Sequence, residues 1–243
     1  MDVDRIFANH RTVVLDFSGG KDSLALLYLC RPYWDRLIVS WANPGATLPE
    51  MAAYMARIRK MVPTFLETRG DQPTDIADNG WPVDVFPVFT SEQARGWTRK
   101  NGIVTRPFYE CCATNLWMPM RRAALSVGAD AVIRGQKDSD RMRARFVDGH
   151  VEDGITFYLP LANWSDADVF SYLRALGAEL PPNYAHGATA SFDCWNCTAY
   201  GEHAGERFAY LKDQHPLRWV EIAPTIRAIR DEVVAQSAYL DQE

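Results

Sequence analysis

The sequence predicts an α/β fold: a mostly parallel sheet with helices on both faces, followed by a C-terminal cysteine-bearing helical segment. Short apolar runs rich in β-branched residues alternate with helical apolar patterns, which is typical of βαβ units. The first run, residues 13–17, turns through two glycines into a helical pattern over 24–29. Further strand-like runs lie at 37–41, 64–67, 131–134 and 156–160.

Bulk properties exclude several classes of protein. The chain has 243 residues, an ordinary globular composition and a formal net charge of −5. That charge disfavours a broad nucleic-acid coat but leaves a local basic patch open. The apolar runs are far shorter than a membrane span, so we expect no membrane contact. Residues 1–5 lack the basic and apolar regions of a signal peptide, and we expect a cytoplasmic protein.

The loop after the first strand has the residues of a phosphate site. Glycines let the backbone approach an anion closely, and the following helix directs free N–H groups and its positive dipole end at the loop. The spacing differs from that of a Walker A loop. The predicted nucleotide-binding residues are Ser18, Gly19, Gly20, Lys21, Asp22, Ser23, Asn43, Gly45 and Gly135.

The segment Ser-Gly-Gly-Lys-Asp-Ser resembles the PP-loop of the adenine nucleotide α-hydrolase-like superfamily. Its members bind ATP and release pyrophosphate, or bind an adenylyl-sulfate. Residues 43–50 resemble the superfamily's Asn/Asp-Thr-Gly-x-x-Phe-Pro-Glu segment and match it at Asn43, Gly45, Pro49 and Glu50. Loops that follow parallel strands meet at one sheet edge, so we expect both segments in one pocket.

A third loop, after the strand at 131–134, carries five basic residues between positions 134 and 145. We predict that it recognises an anionic substrate beside the nucleotide; a solvated loop of mixed charge is the alternative. The predicted substrate-binding residues are Arg134, Gln136, Lys137, Arg141 and Arg143. We predict catalytic roles for Lys21, Asp22 and Lys137, with Lys21 on the phosphates and Asp22 on Mg²⁺ directly or through water.

Four of the five cysteines form two pairs: Cys111-Cys112, then 81 intervening residues, then Cys194-x-x-Cys197. In a reducing compartment such clusters are metal ligands or catalysts more often than disulfides. Four thiolates suit a [4Fe–4S] cluster and tetrahedral zinc equally, and the spacing does not separate the two. Cys30, on the apolar side of the first helix, is predicted to be a core residue.

The cysteine pattern resembles that of iron–sulfur adenylyl-sulfate reductases, which bind a [4Fe–4S] cluster. Residues 159–173 resemble the Pro-Leu-x-x-Trp-Thr and Asp-Val-Trp-x-Tyr-Ile segments of that family, and 188–198 its Ser-x-x-Cys-x-x-Cys-Thr segment. Similarity covers most of residues 13–200. The chain thus resembles the phosphoadenylyl-sulfate/adenylyl-sulfate reductase-like PP-loop proteins, and the resemblance favours an iron–sulfur cluster on the four paired cysteines.

Two departures from the family pattern guide the functional expectation. The C-terminal Glu-Cys-Gly-x-His segment, which carries the reductases' catalytic thiol, has no counterpart after Cys197. Lys137 stands where the family's Gly-x-Arg motif has arginine, and lysine lacks the planar fork that grips an oxyanion bidentately. We therefore expect ATP-dependent adenylation of an acceptor for sulfur transfer, with a sulfur-donor protein as partner and nucleic acid as one acceptor class.

Two other functions stay open. One is an adenylyl-sulfate or phosphoadenylyl-sulfate reductase that uses an external thiol from a reductant protein. The other is a non-catalytic nucleotide- or nucleic-acid-binding module with a structural cluster. The sequence leaves the oligomeric state open, a homodimer included.

The chain is predicted to divide into a nucleotide-binding domain over 1–185 and a C-terminal Cys-x-x-Cys loop with a helical extension over 186–243, packed on it. Residues 70–106 carry scattered proline, glycine and tryptophan, and predict either a long, partly ordered insertion or a packed excursion with short helices. A helix is predicted over 111–127, with Pro119 as a kink or break. Another begins with a near capping box at Ser165, and Pro181-Pro182 ends that unit.

Overall fold

The computed structural model describes residues 3–85, 103–140, 147–199 and 201–238, and has the predicted α/β fold. Its strands are β1 (Val13–Asp16), β2 (Leu37–Asn43), β3 (Thr64–Arg69), β4 (Trp81–Val83), β5 (Thr105–Pro107), β6 (Ala131–Arg134), β7 (His150–Glu152) and β8 (Ile155–Tyr158). Its α-helices are α1 (Val3–Asn9), α2 (Lys21–Leu29), α3 (Pro49–Met61), α4 (Gln72–Asn79), α5 (Phe108–Cys112), α6 (Met118–Ser126), α7 (Asp166–Ala175), α8 (Pro182–Ala185), α9 (Gly201–Gln214) and α10 (Pro216–Ser237).

Six strands form the main sheet in the order β3-β2-β1-β6-β8-β7. Neighbouring strands run parallel except at β7, which pairs antiparallel with β8. Strand β1 is central: the chain continues from it to β2 and β3 on one side, and β6 and β8 lie on the other. The carboxyl ends of β1 and β6 therefore flank the point where strand order reverses, which is where open α/β sheets bind ligands.

The residues of β1 point alternately to the two faces of the sheet, and each face packs against helices. Leu15 belongs to a buried cluster with Leu24 of α2 and Tyr54 of α3. Val14 belongs to a second cluster with Ala124 of α6. Helices thus cover both faces, as predicted, and the strands are buried because both of their faces are covered.

The C-terminal segment shares the main core. Phe192, Trp195, Leu211 and Ile222 lie in the same buried cluster as Leu15. The loop between Phe192 and α9 is thereby held against the carboxyl edge of the sheet. Within the described ranges, no helix is both long and apolar enough to cross a membrane.

The region predicted as an insertion is packed at both of its ends. Asp71 caps α4 by accepting a hydrogen bond from the Thr74 amide, and β4 pairs in parallel with β5 as a small second sheet. The ends of this region therefore match the prediction of a packed excursion with short helices. Its middle, residues 86–102, lies outside the described residues.

The helix predicted over 111–127 is interrupted. A single π-helical stretch, Ala113–Trp117, separates α5 from α6, and Pro119 stands in the first turn of α6, where its missing amide costs little. Helix α7 ends at Ala175, before Pro181-Pro182, and Pro182 begins the separate short helix α8. The capping box at Ser165 is confirmed: Ser165 and Asp168 exchange backbone–side-chain hydrogen bonds.

Candidate active site

The loop between β1 and α2 is shaped by its own glycines and hydroxyls. Gly19 has a φ of 84°, in the left-handed region that favours glycine. The Gly20 amide donates to Ser18 Oγ at 3.3 Å, and the Ser18 and Ser23 hydroxyls lie 3.2 Å apart. The Lys21 amide donates to the Tyr184 hydroxyl at 3.0 Å. The loop is therefore held as a compact turn over the first turn of α2.

Gly135, the first residue after β6, packs directly on this loop. A Cβ atom at this position would lie 2.8 Å from the backbone of Asp22 and Ser23, closer than side chains come to backbone in proteins. Only glycine fits at this contact. The loops after β1 and β6 are thus pressed together at the switch point of the sheet.

Two lysines and three aspartates form one network beside the loop. Lys21 Nζ lies 3.0 Å from Asp22 and 3.2 Å from Asp166. Lys137 Nζ lies 2.8 Å from both Asp22 and Asp140 and 3.2 Å from Asp166. Both ammonium groups are almost fully buried. The network brings together side chains from α2, the loop after β6 and the start of α7.

The pKa shifts follow from this pairing. Burial alone would lower the pKa of Lys137, but hydrogen bonds to Asp140 and Asp22 outweigh it and the pKa is raised. Burial alone would raise the pKa of Asp166, but the charges of Lys21 and Lys137 leave it lowered. Lys137 is therefore cationic and Asp166 anionic at neutral pH.

Several residues that were predicted to bind nucleotide or substrate form hydrogen bonds or ion pairs within the protein in this structure. Asn43 accepts from the Gly45 amide and donates to Glu67, which shapes the loop after β2. Arg134 pairs with Asp16 across β6 and β1, with Nε 2.6 Å from the carboxylate. The carboxylate predicted to bind Mg²⁺, Asp22, contacts both lysines.

The predicted basic loop is only partly described. Lys137, predicted to face an anionic substrate, is buried under the three aspartates. Gln136 is half-buried beside it. Arg141 and Arg143 lie outside the described residues, so their roles stay predictions.

A cavity of about 750 Å³ opens between the loop that joins β1 to α2, here called the phosphate-type loop, and the C-terminal segment. Ser18, Gly20, Lys21 and Asp22 form one wall. The opposite walls include Tyr184, Ser191, Asp193, Cys112, Cys194, Cys197 and Arg207. Three of the four paired cysteines thus line the same cavity as the phosphate-type loop. Lys21 of that loop and Cys197 are 176 positions apart in the sequence.

The four paired thiols interact electrostatically around this cavity. Burial raises the pKa of Cys111 to about 11, and the neighbouring Cys197 adds to the shift. Burial also raises the pKa of Cys194, which feels the charges of Cys197, Cys112 and Cys111. Cys30 lies apart from them in the core, where burial raises its pKa to about 12. The prediction that Cys30 is a core residue is confirmed.

The donor types of the four paired cysteines fit a four-iron cluster, because four thiolates can ligate its four irons. Among the described residues, no group of three His, Cys, Asp or Glu side chains is placed to hold one metal ion. A cubane carries each thiolate on a different iron, so its ligands surround the cluster without converging on a point. Three of the four thiols line one cavity, and Cys194 interacts electrostatically with the other three.

Sequence reasoning missed several residues of the cavity wall, among them Tyr184, Ser191 and Arg207. The Tyr184 hydroxyl accepts from the Lys21 amide, and Ser191 Cβ lies 3.0 Å from where a Gly20 Cβ would stand. Arg207 donates to the Cys197 and Ala199 carbonyls at 2.8 Å. Of these three residues, Arg207 had a sequence signal, as a basic residue 10 positions after Cys197. Its Nε has no hydrogen-bond partner among the described residues.

Comparisons with known proteins agree with this geometry. An adenosine 5'-phosphosulfate reductase of Burkholderia cepacia is 34% identical over 91 residues, 36% of this chain and 35% of the relative, so the match spans about a third of that protein. The phosphoadenylyl-sulfate reductase of Candida auris, solved as a phosphate complex, has the same fold, with a TM-score of 0.53 and 14% identity over 76% of this chain and 83% of that one.

A U34-tRNA thiolase, NcsA of Methanococcus maripaludis with its [4Fe-4S] cluster, gives a TM-score of 0.47 and 14% identity over 91% of this chain and 71% of that one. The phosphoadenosine phosphosulfate reductase domain matches residues 12–200, more than half of the chain. The chain therefore belongs to the phosphoadenosine phosphosulfate reductase domain family.

Proposed function

We propose that this family member is a PP-loop enzyme that adenylates an acceptor with ATP and then transfers sulfur to it, with a [4Fe–4S] cluster on Cys111, Cys112, Cys194 and Cys197. One observation carries the proposal. The phosphate-type loop and three of the four paired cysteines line a single cavity. A nucleotide on the loop would hold its reacting phosphorus next to the thiol side of that cavity.

The first step is adenylyl transfer. An acceptor oxygen attacks the α-phosphorus of ATP, the bond to the β-phosphate oxygen breaks, and pyrophosphate leaves with the electron pair. The loop amides and Lys21 bind the phosphates, and the second lysine, Lys137, adds positive charge close by. Mg²⁺ is expected to replace a lysine contact at Asp22, because the aspartates outnumber the lysines in the network by three to two.

The second step replaces oxygen by sulfur. Hydrosulfide attacks the activated acceptor carbon, the carbon–oxygen bond breaks and AMP leaves with its electron pair. If the donor is a persulfide, its outer sulfur attacks in the same way, and a thiol reductant then cleaves the resulting disulfide bond and is itself oxidised to a disulfide. When bound, the cluster would supply a charged wall that places the sulfur donor beside the acceptor. Arg207 lies at that wall and would orient an anionic group there.

A second candidate is reduction of an adenylyl-sulfate with an external thiol. The family to which the chain belongs and the name of its Burkholderia relative favour it. Reduction needs a thiolate that attacks the substrate sulfur. The four paired cysteines are assigned to the cluster, and Cys30 is buried with a strongly raised pKa, so the attacking thiol must come from outside these 243 residues.

The test compares two reactions on one anaerobically reconstituted preparation. With ATP, Mg²⁺ and either total tRNA or duplex DNA, the proposal predicts exchange of labelled pyrophosphate into ATP. With adenylyl-sulfate or phosphoadenylyl-sulfate and thioredoxin, it predicts no sulfite. Sulfite without exchange would establish the reductase, and nucleotide binding with neither reaction would establish a binding module. Lys21→Met should abolish exchange, whereas Lys60→Met, on the exposed face of α3, should retain it.

A further inference from the structure

A buried ion pair lies behind the cysteine pair, outside the cavity. Arg106, the middle residue of β5, forms a salt bridge with Asp75 of α4, and both side chains are largely excluded from solvent, at 4% and 11% exposure. The Arg106 guanidinium also interacts electrostatically with the Cys111 thiol. Asn115 Nδ2, which contacts Asp75, lies 3.9 Å from Cys111 Sγ. Neither residue lines the cavity beside the phosphate-type loop.

Backbone packing holds this pair against the cysteines. Asn115, in the π-helical stretch that follows Cys112, donates to Asp75 and to the Cys111 carbonyl, the latter at 3.1 Å. Gly70 lies so close to Asn115 that a Cβ there would stand 2.8 Å from the Asn115 carbonyl oxygen. The π turn, a feature often found at functional sites, therefore docks α4 onto the helix that carries the cysteine pair.

Removing one member of a buried ion pair leaves an uncompensated charge, and such a pair contributes little net stability. Here the cation is the member that reaches sulfur. Guanidinium donors to a ligating sulfur and positive charge near a cluster both stabilise the extra electron of its reduced form. A carboxylate on the far side of the guanidinium opposes that effect.

We propose that Arg106 and Asp75 are positioning residues that set the reduction potential of the cluster through Cys111. Arg106 raises the potential by its positive charge, and Asp75 moderates that effect while holding the guanidinium in place. The proposal rests on the cluster assigned under the proposed function. It concerns the electron affinity of the cluster rather than the nucleotide reaction.

The two members of the pair should act in opposite directions, which a purely structural role would not produce. Arg106→Gln removes the cation and should lower the midpoint potential in an anaerobic redox titration. Asp75→Asn keeps an oxygen that can accept from Arg106 but removes the opposing charge, and should raise it. Arg121→Gln changes net charge equally at a partly exposed arginine of α6 paired with Glu152, and should leave the potential unchanged.

The double variant Asp75→Asn/Arg106→Gln guards against misfolding of the single arginine variant, because it leaves no unpaired buried charge. Its potential should lie below that of Asp75→Asn alone. Equal potentials in all loaded variants, or shifts of Asp75→Asn and Arg106→Gln in the same direction, would overturn the inference. A reconstituted wild-type chain without iron would instead overturn the cluster of the proposed function, before any variant is compared.

Discussion

Lys137 Nζ lies 2.8 Å from the carboxylate of Asp22, so the loop after β6 is tied to the first turn of α2 by a buried ion pair. The two residues are 115 positions apart. Together with the close contact of Gly135 on the same turn, the pair fixes the geometry of the phosphate-type loop. We therefore expect loss of this ion pair to lower the free energy of unfolding, whatever its effect on catalysis.

Lys137→Met should destabilise the folded chain by about 3 kcal/mol, because it leaves Asp140 without its buried cation and leaves Asp22 and Asp166 to share Lys21 alone. Urea unfolding at pH 7 measures the difference. Asp22→Asn in the Lys137→Met background should recover part of the loss, and Lys60→Met on the exposed face of α3 should change stability by less than about 0.5 kcal/mol. An unchanged unfolding midpoint for Lys137→Met would show that the pair contributes nothing.

Anaerobically purified protein should be brown and contain about four irons per chain, as a cubane requires. Cys194→Ser or Cys197→Ser should lose the iron, because each removes a predicted ligand. Cys30→Ala should retain it, since Cys30 lies in the core away from the other thiols. Iron analysis and the visible spectrum decide the matter, and a colourless wild type with one zinc per chain would contradict the cluster.

Gly20→Val should weaken ATP binding by at least about tenfold, which corresponds to about 1.4 kcal/mol. A Cβ at Gly20 already lies 3.0 Å from the Cβ of Ser191, so a branched side chain must push into the space where phosphates would bind. Calorimetric titration with a non-hydrolysable ATP analogue measures the effect. Gly205→Ala is the matched control, because a Cβ there meets nothing within 4 Å. Equal affinity of a folded Gly20→Val chain would refute the loop assignment.

The Asp130 carboxylate ties the segment before β1 to the start of β6 by accepting from the Arg11 and Thr12 amides, both at 2.9 Å. Burial alone would raise its pKa, but these hydrogen bonds leave the pKa lowered. A lowered folded-state pKa stabilises the fold above the unfolded value and loses that contribution as pH falls through the folded one. Asp130→Asn should therefore cost about 1 kcal/mol at pH 7, a figure reduced for the partial exposure of the carboxylate.

The stability difference between the wild type and Asp130→Asn should shrink below about pH 4, where the carboxyl protonates. Urea midpoints measured from pH 7 to pH 3 follow it. A difference that stays constant over this range would mean that the ionised carboxylate makes no special contribution.

The 243-residue chain should release no sulfite above background from adenylyl-sulfate or phosphoadenylyl-sulfate when thioredoxin is the reductant. Deleting a covalent nucleophile has cost on the order of 10⁶ in rate in a protease, and the one cysteine outside the predicted cluster, Cys30, is fully buried. Turnover at about 1 s⁻¹ or more, unaffected by Cys30→Ala, would establish that the reductant itself supplies the attacking thiol.

Strong local signals made much of the fold predictable. The glycine turn after β1, the apolar strands and the capping box at Ser165 each depend on a few neighbouring residues, and all three are present in the structure. Helix α1 was missed because seven residues are too short to give a periodic signal, and its stability comes from burying Ile6 and Phe7 in the core. The strands β4 and β5 were missed because each has only three residues and forms only by pairing with the other.

The same distinction between local motifs and tertiary contacts holds for the residues of the candidate site. The residue types and spacings by themselves determined the phosphate-type loop, the two cysteine pairs and the family resemblance, because those motifs are local. Only the tertiary structure decided that Lys137 is buried on Asp22, that Arg134 pairs with Asp16, and that Arg106 pairs with Asp75. Each contact joins residues that are distant in sequence. The first two lie at the carboxyl edge of the main sheet, where parallel strand order brings the loops together.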